Sequence, residues 1–416
     1  MAVNGSNDVV AVPSKQHPKQ RKSFCRVTTI LFVMTCAGLI TSQRRMLGED
    51  LFISIDSTAS KSLIIDHPQN AYTKTMRPMT KARIDKLRGE DGPKYTVLVT
   101  GAAGFVGMHT CLELDRLGMT PIGYDNVNSY YSTELKEKRI EVLAEKQIQM
   151  VRGDVCDAEL LKKTIEENKI TRIIHLAAQA GVRYSLDHPF EYTRNNIDCF
   201  VTLLETAKSL ELKETIIYAS SSSVYGNNVK IPFSETDNVE NPASLYAATK
   251  RSDELIAQTY FNLYKISSIG MRFFTVYGPY GRPDMAPFIF TDKIMNGKEM
   301  KMFNHGNSRR DFTYVDDIVQ GVVNSLFVST GQPEVVNLGN GRPIVLADFI
   351  RIVEKSVGKD AVIESVGMQK GDVPVTYASI QKAQHLLGYN PSTPIEEGIP
   401  KFVEWYRKED AGKYMM

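Results

Sequence analysis

From Tyr95 onward, short apolar runs alternate with longer segments in which apolar residues recur at helical spacing. The short runs are rich in Val and Ile and contain few polar residues, which is typical of parallel strands buried on both faces. Strands that alternate with helices predict an α/β fold with a doubly wound parallel sheet. The predicted strands are Tyr95–Thr100, Pro121–Tyr124, Ile148–Arg152, Thr171–Ala178 and Thr215–Ser220, and two of the predicted helices are Ala158–Asn168 and Phe190–Leu210.

The first predicted strand runs into three glycines, Gly101, Gly104 and Gly107, with the spacing G-x-x-G-x-x-G. Gly101 allows the chain to turn sharply, Gly104 allows the backbone to approach a pyrophosphate, and Gly107 allows the following helix to pack closely. The free N–H groups at the start of that helix would face the anion. A glycine triplet alone also fits an ordinary turn, so the dinucleotide interpretation depends on residues further along.

Acidic and small residues follow the other predicted strands. Asp125 lies about 20 residues past the glycines, where a carboxylate accepts hydrogen bonds from an adenosine ribose, although a turn acid is the alternative. Asn126 follows it, so no cation is placed for a 2′-phosphate and NAD is favoured over NADP. Asp154, Ala178 and Ser220 also stand at strand ends, where parallel sheets bind ligands. This arrangement predicts a Rossmann-type dinucleotide-binding domain.

Two later segments carry candidate catalytic groups. The fifth predicted strand runs into Ser220–Gly226, and a helix opens within Ser244–Lys250. Tyr246 and Lys250 are four residues apart and lie on one face of that helix. An ammonium group beside a phenol stabilises the phenolate, so Tyr246 can act as a base near neutral pH. The pair is also common on solvated helix faces, but its position after the glycine turn and Asp125 favours the catalytic interpretation.

The first 94 residues have a different character. Residues 1–26 are polar and basic, residues 27–42 contain an apolar run, and residues 43–94 show no sustained period and resemble a stalk or linker. The run is shorter than the ~20 residues that span a bilayer comfortably. A cleaved secretory signal and a buried core helix are the alternatives. Because basic residues precede the run, we predict a single-pass type II signal-anchor with a lumenal body.

Composition narrows the function classes. The 416 residues suffice for one large or two ordinary domains, and the net charge of +2 gives no indication of nucleic-acid binding. The 5 cysteines form no C-x-x-C pair and no cluster with histidine. Neither a metal site nor a disulfide framework is therefore predicted, and buried free thiols are expected.

Five long segments carry a family resemblance. They are His175-Leu-Ala-Ala-Gln-Ala-Gly-Val-Arg-Tyr-Ser185, Tyr218-Ala-Ser-Ser-Ser-Ser-Val-Tyr-Gly226, Ser244-Leu-Tyr-Ala-Ala-Thr-Lys250, Arg272-Phe-Phe-Thr-Val-Tyr-Gly-Pro279 with Gly281-Arg-Pro-Asp-Met285, and Arg310-Asp-Phe-Thr-Tyr-Val-Asp-Asp317. With these segments, the stretch from Tyr95 to about Tyr406 resembles the NAD-dependent epimerase/dehydratase family of extended short-chain dehydrogenases/reductases, and most closely the UDP-glucuronate 4-epimerases. The resemblance implies an isomerase that converts UDP-glucuronate to UDP-galacturonate through a transient 4-keto intermediate.

The resemblance also implies the roles of site residues. Tyr246 would take the proton of the sugar 4-hydroxyl, Lys250 would lower the pKa of Tyr246 and hold the nicotinamide ribose, and Ser221 would bond the 4-oxygen. The implied cofactor-binding residues are Gly101, Gly104, Phe105, Val106, Gly107, Asp125, Asn126, Asp154, Val155, Leu176, Ala177, Ala178, Tyr246 and Lys250. The implied substrate-binding residues are Arg183, Ser221, Ser222, Ser223, Thr275, Arg282 and Arg310.

One implied role concerns the substrate carboxylate. A 4-keto uronic acid loses CO₂ readily unless its carboxylate is held near the plane of the ketone. Arg282 stands where the family places a carboxylate-binding arginine, and a guanidinium fork suits that task. Thr275 could assist, and Arg310 matches the family arginine that binds the diphosphate. A surface salt bridge is the alternative role for Arg282.

Related activities differ in the serine segment. Dehydratases of the superfamily carry an Asp-Glu pair where this chain has Ser222 and Ser223, and UDP-glucuronate decarboxylases carry Glu at the position of Ser223. UDP-glucose 4-epimerase and UDP-glucuronate decarboxylase are the alternatives, and a non-catalytic NAD-binding or RNA-binding protein is a distant one. Gln369 replaces a second phosphate-binding arginine of UDP-glucose epimerases, and Lys370 could substitute for it.

We predict an NAD-binding domain over residues 95–280 and a smaller mixed α/β substrate domain over 281–416, interleaved with the first. The short strands predicted for the second domain are Met300–Asn304, Glu334–Leu338 and Val362–Ser365. Helices after Asn195 and Ser244 resemble the pair that dimerises relatives, so a homodimer is expected. The basic tail and apolar segment resemble Golgi-anchored members, which predicts a Golgi or other endomembrane location and contact with the membrane through the N-terminal segment.

Overall fold

The computed structural model of the chain describes residues 81–89, 92–368 and 373–415. The predicted tail 1–26, signal-anchor segment 27–42 and all of the stalk up to residue 80 lie outside the described residues, as do Gln369 and Lys370. No helix in the described part of the chain has the length and apolar character needed to cross a membrane.

The described residues form a series of strands joined largely by helices. The strands are β1 (Thr96–Thr100), β2 (Thr120–Asp125), β3 (Gln149–Arg152), β4 (Arg172–His175), β5 (Ile216–Ser221), β6 (Ser268–Phe273), β7 (Thr275–Tyr277), β8 (Glu299–Met302), β9 (Arg309–Arg310), β10 (Phe312–Tyr314), β11 (Glu334–Leu338), β12 (Ile344–Val345), β13 (Val362–Ser365) and β14 (Val375–Thr376). The α-helices are α1 (Lys81–Arg88), α2 (Phe105–Arg116), α3 (Thr133–Glu145), α4 (Ala158–Glu167), α5 (Tyr184–Asp187), α6 (Pro189–Tyr192), α7 (Cys199–Ser209), α8 (Leu245–Tyr264), α9 (Ala286–Met295), α10 (Val315–Ser325), α11 (Leu346–Val357), α12 (Gln381–Leu387) and α13 (Ile395–Lys408).

The central element is a 7-stranded sheet with the strand order β11-β6-β5-β4-β1-β2-β3. Every neighbouring pair in it is parallel, which confirms the predicted α/β doubly wound sheet of Rossmann type. The strand order reverses between β1 and β4. In such sheets the crevice outside the carboxyl ends of the strands, at the reversal point, is where ligands bind.

Side chains alternate across this sheet and build a core on each face. In β1, Val97 and Val99 belong to one apolar cluster and Leu98 belongs to the other, and all three are fully buried. Helices α2 and α10 cover the first face, and α4 and α7 cover the second. Both faces are therefore apolar, which explains why the strand sequences read as near-continuous hydrophobic runs.

Three small sheets lie beyond the large one: β7 with β10, β12-β9-β14, and β8 with β13. The predicted strand Val362–Ser365 is β13, and the predicted strand Met300–Asn304 is β8, which ends at Met302. Glu334–Leu338, which the sequence places in the smaller domain, is the edge strand of the large sheet and pairs with β6. The chain returns to the first sheet because Val336 and Leu338 complete its core.

Two predicted elements differ in detail from the structure. The strand predicted to reach Ala178 ends at His175, after which the chain leaves the sheet to line a cavity. The helix predicted over Phe190–Leu210 consists of α6, a π-helical turn at Thr193–Asp198, and α7. The turn lets Asn196, which is 1% exposed, point inward. Its Oδ1 accepts a hydrogen bond from the Gln179 N–H, and its Nδ2 donates to the Gln179 carbonyl.

The cysteine expectation was wrong for one pair. Cys156 and Cys199 form a disulfide, although 43 residues separate them. No short motif signals this pairing, because only the fold brings the loop after β3 next to the start of α7. Cys111 is free and buried, as expected for that residue.

Candidate active site

The glycine turn after β1 has the geometry expected of a dinucleotide loop. Gly101 has a φ of +74°, and its N–H donates to the Tyr124 carbonyl at 2.8 Å. A Cβ on Gly107 would lie 2.0 Å from the Gly101 carbonyl oxygen, so only glycine lets α2 approach the turn this closely. Helix α2 starts at Phe105 directly behind the turn, and the first N–H groups of a helix favour an anion.

Asp125 ends β2 beside this turn, as predicted. Its carboxylate accepts hydrogen bonds from the Ala103 N–H at 3.0 Å and the Val127 N–H at 2.8 Å. Burial raises the pKa of Asp125, while these N–H donors and Lys136 oppose the shift. The two backbone bonds fix the carboxylate at the rim of the cavity, where a ribose bound past the glycine turn would meet it.

A cavity of about 1200 Å³ opens at the carboxyl ends of the strands. Nearly all of the predicted site residues line it: Gly101, Gly104, Phe105, Val106, Gly107, Asp125, Asn126, Asp154, Val155, Leu176, Ala177, Ala178, Arg183, Ser221, Ser222, Ser223, Tyr246, Lys250, Thr275 and Arg282. Residues that are more than 180 positions apart in the sequence thus meet in one space. Arg310 is the predicted site residue that is not part of the lining.

Helix α8 presents the candidate catalytic pair. Ser244 caps the helix, since its Oγ accepts a hydrogen bond from the Ala247 N–H at 3.1 Å. This cap starts the helix so that Tyr246 lies in its first turn and Lys250 one turn later. Tyr246 is half-buried and meets the edge of the Tyr192 ring, with ring centroids 6.0 Å apart. The phenol is therefore held by packing at the cavity wall.

Lys250 is only 2% exposed, so its ammonium group needs local partners. Its Nζ donates to the Ala219 carbonyl at 3.0 Å and to Asp253 Oδ2 at 3.1 Å. Burial raises the pKa of Asp253 to about 6, and Lys250 opposes that shift. His175 lies on the adjacent strand β4, and burial together with Lys250 lowers its pKa to about 3. A neutral imidazole and a carboxylate thus flank the ammonium group.

The serine segment divides into structural and cavity-facing residues. Ser220 donates to Glu254 at 2.7 Å, and Glu254 in turn holds Arg272 in a buried bidentate pair. Ser221 accepts a hydrogen bond from the Ser223 N–H at 3.1 Å and lines the cavity. The chain then enters a 3₁₀ turn, Ser222–Tyr225, which directs the segment over the cavity. Ser220 therefore ties α8 to the sheet, while Ser221 is available to a ligand.

Arg282 is held from one side within the cavity wall. Its Nε donates to Asp284 Oδ1 at 3.0 Å and its Nη2 to Asp284 Oδ2 at 2.5 Å, and Nη2 also lies 3.4 Å from the Tyr130 hydroxyl. Burial opposes the positive charge, but Asp284 outweighs it and raises the pKa of Arg282. Asp284 thus occupies the Nε side of the guanidinium, whose second edge, formed by the two Nη groups, suits another carboxylate.

The predicted diphosphate contact, Arg310, is not among the residues that line the cavity. Arg310, in β9, donates to the carbonyls of Arg309 and Pro374. The segment Gln369–Asp372, which precedes β14 beside it, is outside the described residues. Two lysines that the sequence reasoning did not single out, Lys293 and Lys301, line the cavity on the side of the small sheets.

Other residues at the site were also missed. Asp284 lies inside the predicted segment Gly281–Met285, so its pairing with Arg282 could have been anticipated. Asp253 is three residues past Lys250 on the same helix, a spacing at which opposite charges meet. Asn196 bonds Thr249 on α8 at 2.9 Å as well as Gln179, and it carries no local signal because its partners are remote in sequence.

The cavity is large enough for more than one small ligand. Its volume of about 1200 Å³ exceeds the roughly 300–1,000 Å³ of pockets that hold one small ligand. The glycine turn and Asp125 form one end, and Arg282 with the two lysines lines the other. Tyr246, Lys250 and Ser221 lie on the wall of the same space, so a proton-transfer group is provided there.

Comparison with known proteins gives concordant similarities. A family model described as GDP-mannose 4,6 dehydratase matches residues 98–402. UDP-glucuronate 4-epimerase 4 of Arabidopsis thaliana is 47% identical over 352 residues, covering 81% of this chain and 79% of that protein. UDP-glucuronate 4-epimerase 2 of the same plant is 49% identical over 337 residues, or 77% of each chain. The crystal structure of UDP-glucuronic acid 4-epimerase from Bacillus cereus in complex with UDP-glucuronic acid and NAD has a TM-score of 0.70 at 34% identity, covering 76% of this chain and 99% of that one.

Proposed function

The chain belongs to the family of UDP-glucuronate 4-epimerases, and we propose that it converts UDP-glucuronate to UDP-galacturonate with NAD as its cofactor. The observation that carries this proposal is the meeting of Tyr246, Lys250, Ser221 and Arg282 in one cavity that starts at the glycine turn. The glycine turn, Asp125 and Lys250 would hold NAD. When bound, it supplies the chemistry of accepting hydride from C4 and returning it.

Tyr246 serves as the base at the sugar 4-hydroxyl. The nearby Lys250 ammonium group, which is almost fully buried, stabilises the phenolate that accepts the proton. Ser221 places a hydroxyl where it can bond the same oxygen. When C4 is reduced again from its other face, Tyr246 returns the proton, so the configuration inverts and no net proton is consumed. The width of the cavity gives the 4-keto sugar room to turn.

The serine segment separates this reaction from the elimination that the family model's name describes. Elimination of water needs an acid next to the leaving hydroxyl. Ser222 and Ser223 stand at this point of the cavity wall and supply hydroxyl groups only. The site therefore has groups for oxidation and reduction at C4 but no carboxylic acid at the position where the dehydratases carry their acidic pair.

Arg282 would bind the carboxylate of the uronate. One edge of its guanidinium is held by Asp284, so the group is already oriented before a second carboxylate binds. A carboxylate held in this fork stays near the plane of the 4-ketone, where the bond to CO₂ cannot overlap the carbonyl π-system. Thr275 lines the same region and can add a hydroxyl contact. The intermediate is thereby protected from decarboxylation.

The proposal is tested by incubating the catalytic part with UDP-glucuronate and separating the products. UDP-galacturonate is the expected product. UDP-xylose would indicate a decarboxylase instead, and turnover of UDP-glucose without turnover of UDP-glucuronate would overturn the substrate assignment. Tyr246→Phe is the matched variant, since it removes one oxygen and should lower kcat by about 10²–10⁴-fold with NAD still bound.

Location and assembly extend the proposal. We propose that residues 27–42 anchor the chain in a Golgi or other endomembrane with the catalytic part in the lumen, on the basis of the basic residues that precede the apolar run. A reporter fused to the C-terminus should resist protease in sealed vesicles, and its digestion there would contradict this topology.

We also propose a homodimer through α7 and α8, because Leu255 and Leu263 on α8 are 53% and 65% exposed.

A further inference from the structure

The disulfide lies at one end of the cavity. Cys156 is in the loop between β3 and α4, and Cys199 is the first residue of α7 and part of the cavity lining. The glycine turn after β1 would take the pyrophosphate of NAD and Asp125 after β2 would take its ribose, so the base would lie further out, toward β3. The disulfide would therefore flank the adenine end of the NAD site.

Asp154 connects the disulfide to that site. Its Oδ1 accepts a hydrogen bond from the Cys156 N–H at 2.9 Å and lies 3.5 Å from Cys199 Sγ. Its Oδ2 accepts from Arg194 Nη1 at 3.1 Å. The carboxylate, a lining residue of the cavity, is thus held between the two segments that the disulfide joins.

The bond closes a loop that carries much of the cofactor side of the cavity. Between Cys156 and Cys199 the chain contributes the lining residues Leu176, Ala177 and Ala178. At the adenine end the two loop ends are also joined by the Arg194–Asp154 pair, whose arginine is 54% exposed, and exposed ion pairs contribute little. Helices α4 and α7 pack through buried leucines, so the fold itself does not depend on the disulfide.

We propose that Cys156–Cys199 is a thiol–disulfide exchange site that controls retention of NAD. When the bond is present, the loop after β3 stays fastened to α7 over the adenine end. When it is reduced, the two segments separate and the cofactor exchanges. The inference rests on NAD binding by the proposed function, but it requires nothing of the sugar substrate.

A dithiol can reduce the Cys156–Cys199 disulfide by thiol–disulfide exchange. Cys156 is the accessible sulfur, since it is half-buried whereas Cys199 is 3% exposed. A thiolate of the dithiol attacks Cys156 Sγ, a mixed disulfide forms, and Cys199 leaves as a thiolate that takes a proton. The second thiol of the reductant then attacks the mixed disulfide and releases Cys156 as a thiol. The reductant becomes a cyclic disulfide, and reoxidation reverses both steps with a disulfide oxidant.

The test measures NAD release from the full chain before and after reduction. Thiol alkylation and mass spectrometry establish the state of the pair, and displacement of bound NAD by fluorescent etheno-NAD gives the release rate. We expect dithiothreitol to speed release about tenfold, which corresponds to roughly 1.4 kcal/mol. Equal release rates in the oxidised and reduced protein would overturn the proposal, as would failure of the pair to form a disulfide with oxidised glutathione.

Two variants complete the design. Cys156→Ser should release NAD at the fast rate whether or not dithiothreitol is present. Cys111→Ala removes the buried free thiol of the described residues and should keep the full response to dithiothreitol. A response lost in Cys111→Ala or kept in Cys156→Ser would contradict the assignment. If the parent protein shows no epimerase activity but still releases NAD faster after reduction, the proposed sugar chemistry is wrong and the proposal for the disulfide stands.

Discussion

The Arg282 guanidinium is shared, in the proposed complex, between two carboxylates. Asp284 binds its Nε side, and the sugar carboxylate takes the remaining edge. Removing the arginine would leave Asp284 without its charge partner and facing the incoming uronate, and the pKa of Asp284, which Arg282 now helps to hold low, would rise. A simple Arg282→Ala variant thus changes two charges at the site rather than one.

We therefore predict the outcome for Arg282→Ala combined with Asp284→Asn. The loss of one charged hydrogen bond should weaken UDP-glucuronate binding by about 1.5–3 kcal/mol, seen as a higher KM. A carboxylate that can rotate out of the ketone plane should also yield a small decarboxylated fraction. The measurement is the product profile and KM for UDP-glucuronate and UDP-glucose, and UDP-glucose should be affected far less.

Asp284→Asn alone is the control for that experiment. It keeps Arg282 in place and should raise KM less than the double variant does. If both sugar nucleotides lose affinity equally in the double variant, Arg282 holds the loop or the diphosphate, and its assignment to the carboxylate is wrong.

Single residues differ in how far the sequence predicts them. Tyr246, Lys250 and Asp125 were predictable because each lies at a fixed offset from a strand end or helix start. Asp253 and Asn196 were not, because their importance depends on burial and on partners that only the fold supplies. Arg310 lies in a recognisable motif, and its side chain donates to the carbonyls of Arg309 and Pro374, so its assignment to the diphosphate stays a prediction.

Helix α8 combines several tasks along one length. Its capped start carries Tyr246 and Lys250, and its middle carries Glu254, which is paired in the interior with Arg272 at 2.8 Å. Its outer face exposes two leucines two turns apart, Leu255 and Leu263. Exposed leucines on a helix whose inner face carries the candidate catalytic pair favour a partner of the same kind, since pairing would also brace the site.

We predict that Leu255→Glu together with Leu263→Glu converts the proposed dimer to a monomer. Two buried carboxylates from each protomer, all without partners, would be strongly unfavourable in a symmetric interface. Sedimentation equilibrium gives the mass directly. The matched control is Val229→Glu, a change of the same chemistry at a residue that is 93% exposed elsewhere on the chain. A parent that sediments as a monomer, or a double variant that remains dimeric, contradicts the assignment of α8 to the interface.

Elements were predicted where one local pattern determines them. The five strands β1 to β5 follow from the hydrophobic pattern of the chain, and the ends agree to within a few residues for β1 and β2. The π turn at Thr193–Asp198 breaks a helix whose periodicity continues through it, since the break serves contacts of Asn196 with remote segments. The place of β11 in the large sheet depends on pairing with β6, which sequence order alone does not reveal.

Across the whole described molecule, the site is built on a charged and largely buried interior. Lys250 lines the cavity, and Asp253 and His175 are buried behind it. The imidazole of His175 is 3% exposed, lies 2.8 Å from Thr100 Oγ1 through Nδ1, and stacks on the Phe200 ring. Burial first, and Lys250 second, lower the pKa of His175 to about 3. Stability should therefore depend on pH.

The direction in which stability changes with pH follows from proton binding by the folded and unfolded chains. A histidine in the unfolded chain titrates near pH 6.5, so between roughly 6.5 and 3 the unfolded chain binds a proton that folded His175 does not. The contribution of His175 to stability is complete above that window and is lost as the pH falls through it, amounting to roughly 3 kcal/mol at about pH 4.5. Asp253 acts in the opposite direction, since with a pKa raised to about 6 it takes up a proton in the folded protein before the unfolded chain does.

The variant His175→Gln separates these two effects. Glutamine keeps a hydrogen-bonding partner for Thr100 but does not titrate, whereas Asp253 is still present in both proteins. We predict that the free energy of unfolding in urea, measured with saturating NAD from about pH 8 to about pH 4.5, falls by roughly 3 kcal/mol more in the parent than in the variant. The difference between the two curves should open below about pH 6.5 and not before. Parallel curves would mean that the folded protein accommodates a protonated His175. The assignment of a buried neutral imidazole beside Lys250 would then be wrong.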